Sequence, residues 1–291
     1  MNRLLRRVLI GLAVLVAVLV GTGFALHVAG SNRLANGSKG PVLAVAIPTD
    51  EAALLRGAHL SEVVTGCSGC HLAELGGQVF LEDPIFGRIV AGNLTTGAGG
   101  FGADASIEDW VRAVRHGIGR DGRVLAIMPS DGFAHLSDAD LGAILAYILI
   151  APPVDRVLPD RRLVFPGTAI AGFLMWPDLP TQRIAAMGAP SWPEPSTGAA
   201  YGRYLLEIAH CHECHGLGLT GKPPNEPGPK GPDLTRSGAL SAWTEDDFVH
   251  AMRTGVVPGG RTLSIEMPFP SYARMSNDEL TAMWAALGEL P

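Results

Sequence analysis

The chain has 291 residues, of which 17% are charged, with a net charge of −6 and abundant Gly (37) and Pro (22) against few aromatics. This length allows one to three domains, and the acidic balance excludes a nucleic-acid binder, which needs basic patches. A negative body is equally consistent with simple solubility and with steering toward a partner that has a basic docking face.

The first predicted element is apolar. Residues 8–26 carry no charge and only Thr22 is polar, with Arg3, Arg6 and Arg7 ahead of them. The apolar core of a cleavable signal is shorter, about 7–15 residues, whereas about 20 residues cross the hydrocarbon. Residues 1–30 are therefore expected to form an inner-membrane anchor. The arginines stay on the cytoplasmic side and the rest of the chain is periplasmic. Val28-Ala29-Gly30 is a passable cleavage site, so removal stays open as an alternative. Residues 31–48 then read as a tether.

Asp50 is placed to cap a helix reaching about residue 65. Next comes Cys67-Ser68-Gly69-Cys70-His71, and Cys211-His212-Glu213-Cys214-His215 follows later; together they use all four cysteines. Two thiols three positions apart match the two vinyl groups on one porphyrin edge, and the adjacent His ligates iron. Cys67, Cys70, Cys211 and Cys214 are thus expected to carry two covalently bound haem c groups as thioethers, with His71 and His215 as proximal ligands. A zinc site built from the two halves, or a redox dithiol, is the competing reading. Neither needs the His that both copies have.

Ser106-Ile-Glu-Asp and Thr244-Glu-Asp-Asp look like capped helix starts with acids in the first turn. Ser137 and Ser276 open helices whose Leu141/Ile144/Leu145/Ile148 and Leu280/Met283/Trp284/Leu287 form one apolar face. Between them, residues 151–196 hold nine prolines and read as an extended connector. Its apolar stretch, 163–176, is too short to span a membrane and is expected to pack on the second module, with a membrane contact as the alternative. No convincing strand alternation is present.

An internal repeat orders these elements. Trp110 to Gly117 aligns with Phe248 to Gly255 at an offset of 138, and Met128-Pro129 aligns with Met267-Pro268 at 139. Two haem modules are accordingly expected at 49–152 and 197–291, joined by the connector 153–196. The fold class expected is all-α, with two tandem haem domains after a transmembrane helix. Met128 and Met267 sit at equivalent positions before Pro, on the loop preceding the closing helix, and are the expected sixth ligands. A thioether stabilises ferrous iron and raises the potential. Core filling is the alternative for any methionine, and it suits Met175, Met187, Met252 and Met275.

Cys-x-x-Cys-His, a later Met-Pro, and a terminal helix opening Leu136-Ser-Asp-x-Asp-Leu141 resemble class I c-type cytochrome domains. With Gly92-Asn93-Leu94-Thr95 and Ala113-x-Arg115-x-Gly117, the first copy is similar to the cytochrome c subunits of membrane-bound alcohol and sugar dehydrogenases. Those subunits usually carry three modules, against two here. The resemblance implies that the Pro232 carbonyl accepts the proximal His Nδ1–H; Gly92 occupies that place in the first module. Arg123 and Arg261 precede the methionines, where they would pair with haem propionates or simply be solvated. His59, His116, His135, His210 and His250 read as surface or helix residues, and His212 as outward-facing.

The expected function is single-electron transfer from a donor dehydrogenase or quinol-oxidising complex to an acceptor oxidase or soluble cytochrome, with no catalytic activity of its own. The alternatives are a di-haem peroxidase with one open iron, or a subunit that chiefly holds a larger respiratory complex at the membrane.

Overall fold

The computed structural model describes residues 3–37, 42, 44–187, 192–226 and 228–290. Part of the expected tether (38–41, 43) and of the connector (188–191) lies outside these residues.

About half of the chain is helical. Helix α1 (Arg3–Ala35) is long and apolar enough to cross a bilayer, and none of its apolar window is buried against protein. It continues through Ala35, beyond the expected start of the tether. Its end is bonded to the body: Val124 N–H donates to the Leu34 carbonyl at 2.9 Å and Gly37 N–H to the Gly122 carbonyl at 2.7 Å.

Helix α2 (Glu51–His59) starts at Asp50, whose carboxylate accepts from Ala53 N–H, and a wider π turn prolongs it over Leu60–Val64. Next are α3 (Cys67–His71), α4 (Ile107–His116), the short α5 (Ser130–Phe133) and α6 (Asp138–Leu149). The connector forms a helical turn, α7 (Gly167–Ala169), continued by a π turn over Ile170–Leu174, and then α8 (Pro180–Ala186). The second half contributes α9 (Ala199–Ile208), α10 (Cys211–His215), α11 (Glu245–Thr254), α12 (Phe269–Tyr272) and α13 (Asn277–Leu287). The capping expectations hold: α4 and α11 begin with full capping boxes at Ser106 and Thr244, and Ser137 and Ser276 cap α6 and α13.

The all-α expectation needs correction. A three-stranded antiparallel sheet pairs β1 (Gln78–Asp83) with β2 (Gly87–Ala91), and β2 with β3 (Arg162–Leu163). Asp83 Oδ1 accepts from the Ile85 and Phe86 amides, and Gly87 supplies the positive φ of 85° that turns the hairpin. A second correction concerns 163–176. This stretch packs on α1: Gly30 and Gly172 cross so closely that a Cβ on Gly172 would lie 2.4 Å from the Gly30 Cα.

Glycine makes two further close crossings possible. A Cβ on Gly57 of α2 would lie 1.9 Å from the Ala143 carbonyl of α6, and one on Gly202 of α9 would lie 1.8 Å from the Ala282 carbonyl of α13. One apolar core runs without interruption from Leu60, Trp110 and Ile144 to Leu205, Met283 and Leu287.

Candidate haem centres

Each Cys-x-x-Cys-His pentapeptide forms a short helix entered through a left-handed residue, Gly66 (φ 64°) before α3 and His210 (φ 58°) before α10. Beyond the helices the backbones also match. Gly77 N–H donates to the His71 carbonyl at 2.9 Å, and Gly221 N–H to the His215 carbonyl at 2.8 Å. Leu94 N–H donates to Leu75, and Leu234 N–H to Leu219, each at 2.8 Å.

The imidazoles are oriented in the same way. His71 Nδ1 lies 2.7 Å from the Gly92 carbonyl and His215 Nδ1 lies 2.8 Å from the Pro232 carbonyl. A carbonyl can only accept, so Nδ1 carries the proton and Nε2 keeps its lone pair for a metal. The backbone of Gly231 lies against the His215 ring, where a Cβ would come within 2.6 Å of Nδ1. Burial lowers the pKa of both imidazoles, opposed by the carbonyl bonds, so each is held neutral as iron ligation requires. Burial also pushes the Cys211 thiol up to about 12. None of the four cysteines is in a disulfide. This donor set, two free thiols and an imidazole with Nδ1 already engaged, fits covalent haem c in both places.

The methionine turns repeat as well. Ser130 N–H donates to the Met128 carbonyl and Phe269 N–H to the Met267 carbonyl, both at 2.7 Å, and both side chains pack half-buried against the core. Arg115 ties the following loop by donating to the Leu136 carbonyl at 2.7 Å, and Arg253 does so to the Met275 carbonyl at 2.5 Å. These arginines hold the loops that follow the methionine turns, after α5 and α12, a role the repeat itself signals because Arg115 and Arg253 are equivalent positions. Arg123 pairs with Asp121 at 3.2 Å on the surface, and Arg261 is exposed.

His212 and His210 depart from expectation. His212, 10% exposed, lies in a cluster with Asp131 of α5 and Glu213 of α10, and Arg183 of α8 joins both carboxylates at 2.9 and 2.5 Å. The Arg183 guanidinium supplies the positive charge that these acids require. The His210 ring packs edge-on against Phe133 with centroids 4.5 Å apart. His59 is paired with Glu279 at 2.9 Å. The cluster joins the Met128 side of the first centre to the helix of the second, a link no sequence interval displays.

Residues 52–148 match the family model described as cytochrome c oxidase, cbb3-type, subunit III. The chain is 28% identical over 220 residues to a fructose dehydrogenase cytochrome subunit of Gluconobacter japonicus, covering 68% of this chain and 44% of that protein. It is 29% identical over 270 residues to a gluconate 2-dehydrogenase cytochrome c subunit of Pantoea cypripedii, covering 80% and 58%. A diheme cytochrome c-type protein of Cereibacter sphaeroides is 29% identical over 227 residues, covering 66% and 70%. The chain thus contains a c-type cytochrome domain and is a homologue of dehydrogenase cytochrome c subunits, spanning about half the length of the first two.

Proposed function

We propose that this chain is a di-haem c-type electron carrier, held by α1 in the inner membrane with its haem domains in the periplasm. It passes single electrons from a dehydrogenase or quinol-oxidising complex to an oxidase or soluble cytochrome. The observation that carries the reading is the duplicated frame: two Cys-x-x-Cys-His helices, two imidazoles bonded through Nδ1 to a backbone carbonyl, and two Met-Pro turns. Haem c supplies a one-electron ferric/ferrous couple. The chain's own residues would do the rest: Cys67/Cys70 and Cys211/Cys214 would hold the two groups as thioethers, and His71 with Met128, and His215 with Met267, would ligate the two irons.

With a His and a Met for each iron, neither would keep a position open for a substrate, which favours a carrier over a peroxidase. The relatives' names, dehydrogenase cytochrome subunits, favour a sugar- or alcohol-oxidising dehydrogenase as the donor class. The haem content of the purified protein, read by pyridine haemochrome, tests the count. Two haems per chain are expected, falling to one in Cys67→Ala/Cys70→Ala and to one in Cys211→Ala/Cys214→Ala. A single haem in the wild type defeats the reading.

A further inference from the structure

The connector residues around Phe165 project beside the apolar part of α1. A Cβ on Gly23 would lie 3.4 Å from the Phe165 ring, which nevertheless stays 53% exposed. Between ring and helix is an open cleft of about 450 Å³ lined by Leu19, Val20, Gly23, Phe24, His27 and Phe165. At 1.5 Å of rise per residue, Leu19 lies about 10 Å inside the end of the apolar stretch at Leu26. A loop at that depth beside a spanning helix is level with acyl chains.

The neighbouring contacts fix its position. Gly167 N–H donates to the Ile85 carbonyl at 2.8 Å, so the β1–β2 hairpin tip, with Ile85 48% exposed, lies beside the same loop. Further along α1, Thr168 Oγ1 lies 2.7 Å from His27 Nδ1. Arg33 donates to the Gly172 carbonyl at 2.9 Å, and its guanidinium stands 4.5 Å from the Phe173 ring centroid and 5.6 Å from that of Trp176. Arginine with aromatics, one to two turns past the apolar stretch, is the composition of a headgroup-level girdle.

We infer that the Phe165 loop, with the hairpin tip at Ile85, is a second membrane contact that seats in the outer half of the bilayer crossed by α1, its occupant being the acyl chains of bilayer lipids. The inference rests on the reading of α1 as a membrane span. Two contact points, with α1 bonded to the body at Leu34, hold the haem domains at a fixed tilt.

The test is depth-resolved labelling of the full-length, haem-loaded protein. It is reconstituted in phosphatidylcholine vesicles containing a lipid with a photoactivated carbene precursor in its acyl chain, then irradiated and digested with trypsin. Label is expected on residues 8–33 of α1 and on 163–183. It should be absent from 262–274, which carry Ile265 at 81% exposure on the second haem region. Phe165→Ser should lower labelling of 163–183 several-fold and leave α1 labelling unchanged. Label confined to 8–33 overturns the second contact while the anchor stands. Label on neither peptide removes both, and equal label on 262–274 and 163–183 also overturns the inference.

Discussion

The imidazole of His215 is held from two directions, by the Pro232 carbonyl at 2.8 Å and by the flat backbone of Gly231 behind the ring. Gly231→Ala would put a methyl within van der Waals overlap of the ring and push Nδ1 off its acceptor. The overpacking should cost about 1–3 kcal/mol. A weaker Nδ1–H bond makes the ligand less basic and less able to stabilise ferric iron, so the potential of the second haem should rise. A redox titration resolving two waves should show one displaced upward and the other unmoved; two unmoved waves would remove Gly231 from the account. His212 makes a second residue-scale prediction. Burial alone would lower its pKa, but Asp131 and Glu213 prevail and raise it to about 9, above the unfolded value of ~6.5. Its stabilisation is therefore complete below pH ~6.5 and is lost as pH rises through about 9, on the order of 3 kcal/mol. Thermal melts should fall across that window, and His212→Gln should flatten the fall; equal slopes would contradict it. The two Cys-x-x-Cys-His pentapeptides were legible as motifs because their pattern is local. The burial of His212 and His210 was not, because Asp131, Arg183 and Phe133 reach them from distant stretches of the chain.

At the scale of elements, the helix starts were readable since a capping box spans only four residues and needs no tertiary information. The sheet was not. β1 and β2 are short, with a register shift between Val79 and Leu81, and β3 is two residues within a proline-rich connector. Neither offers the alternation that identifies a strand. The helix crossings were also hidden, since Gly57 and Gly202 look like ordinary small residues until the partner carbonyls of Ala143 and Ala282 are in place. Gly202→Ala should separate α9 from α13 and destabilise the protein by about 1–3 kcal/mol or more, measured by guanidinium denaturation. A loss well below that range would mean that the crossing relaxes freely.

For the molecule as a whole, the repeat suggested separate modules, yet the described core is continuous and a polar network crosses it. Arg56 donates to Asp140 at 3.0 Å, to Glu279 at 3.3 Å and to the Tyr201 hydroxyl at 2.9 Å, joining α2 to α6, α13 and α9. The Tyr204 hydroxyl donates to Asp140 at 2.6 Å. Arg56→Ala leaves two largely buried carboxylates without their guanidinium and should cost about 3 kcal/mol. Both haem regions should unfold in one transition; two separate transitions would contradict the shared core.

The central claim, two His/Met-ligated haems that carry electrons, is tested most directly by the near-infrared band of the oxidised protein that reports a methionine–ferric bond. Wild type should show two low-spin haems with this band, and Met128→Ala and Met267→Ala should each remove about half of it. A wild-type spectrum with one high-spin haem that takes up cyanide or peroxide readily would contradict the carrier and mark that iron as a catalytic centre.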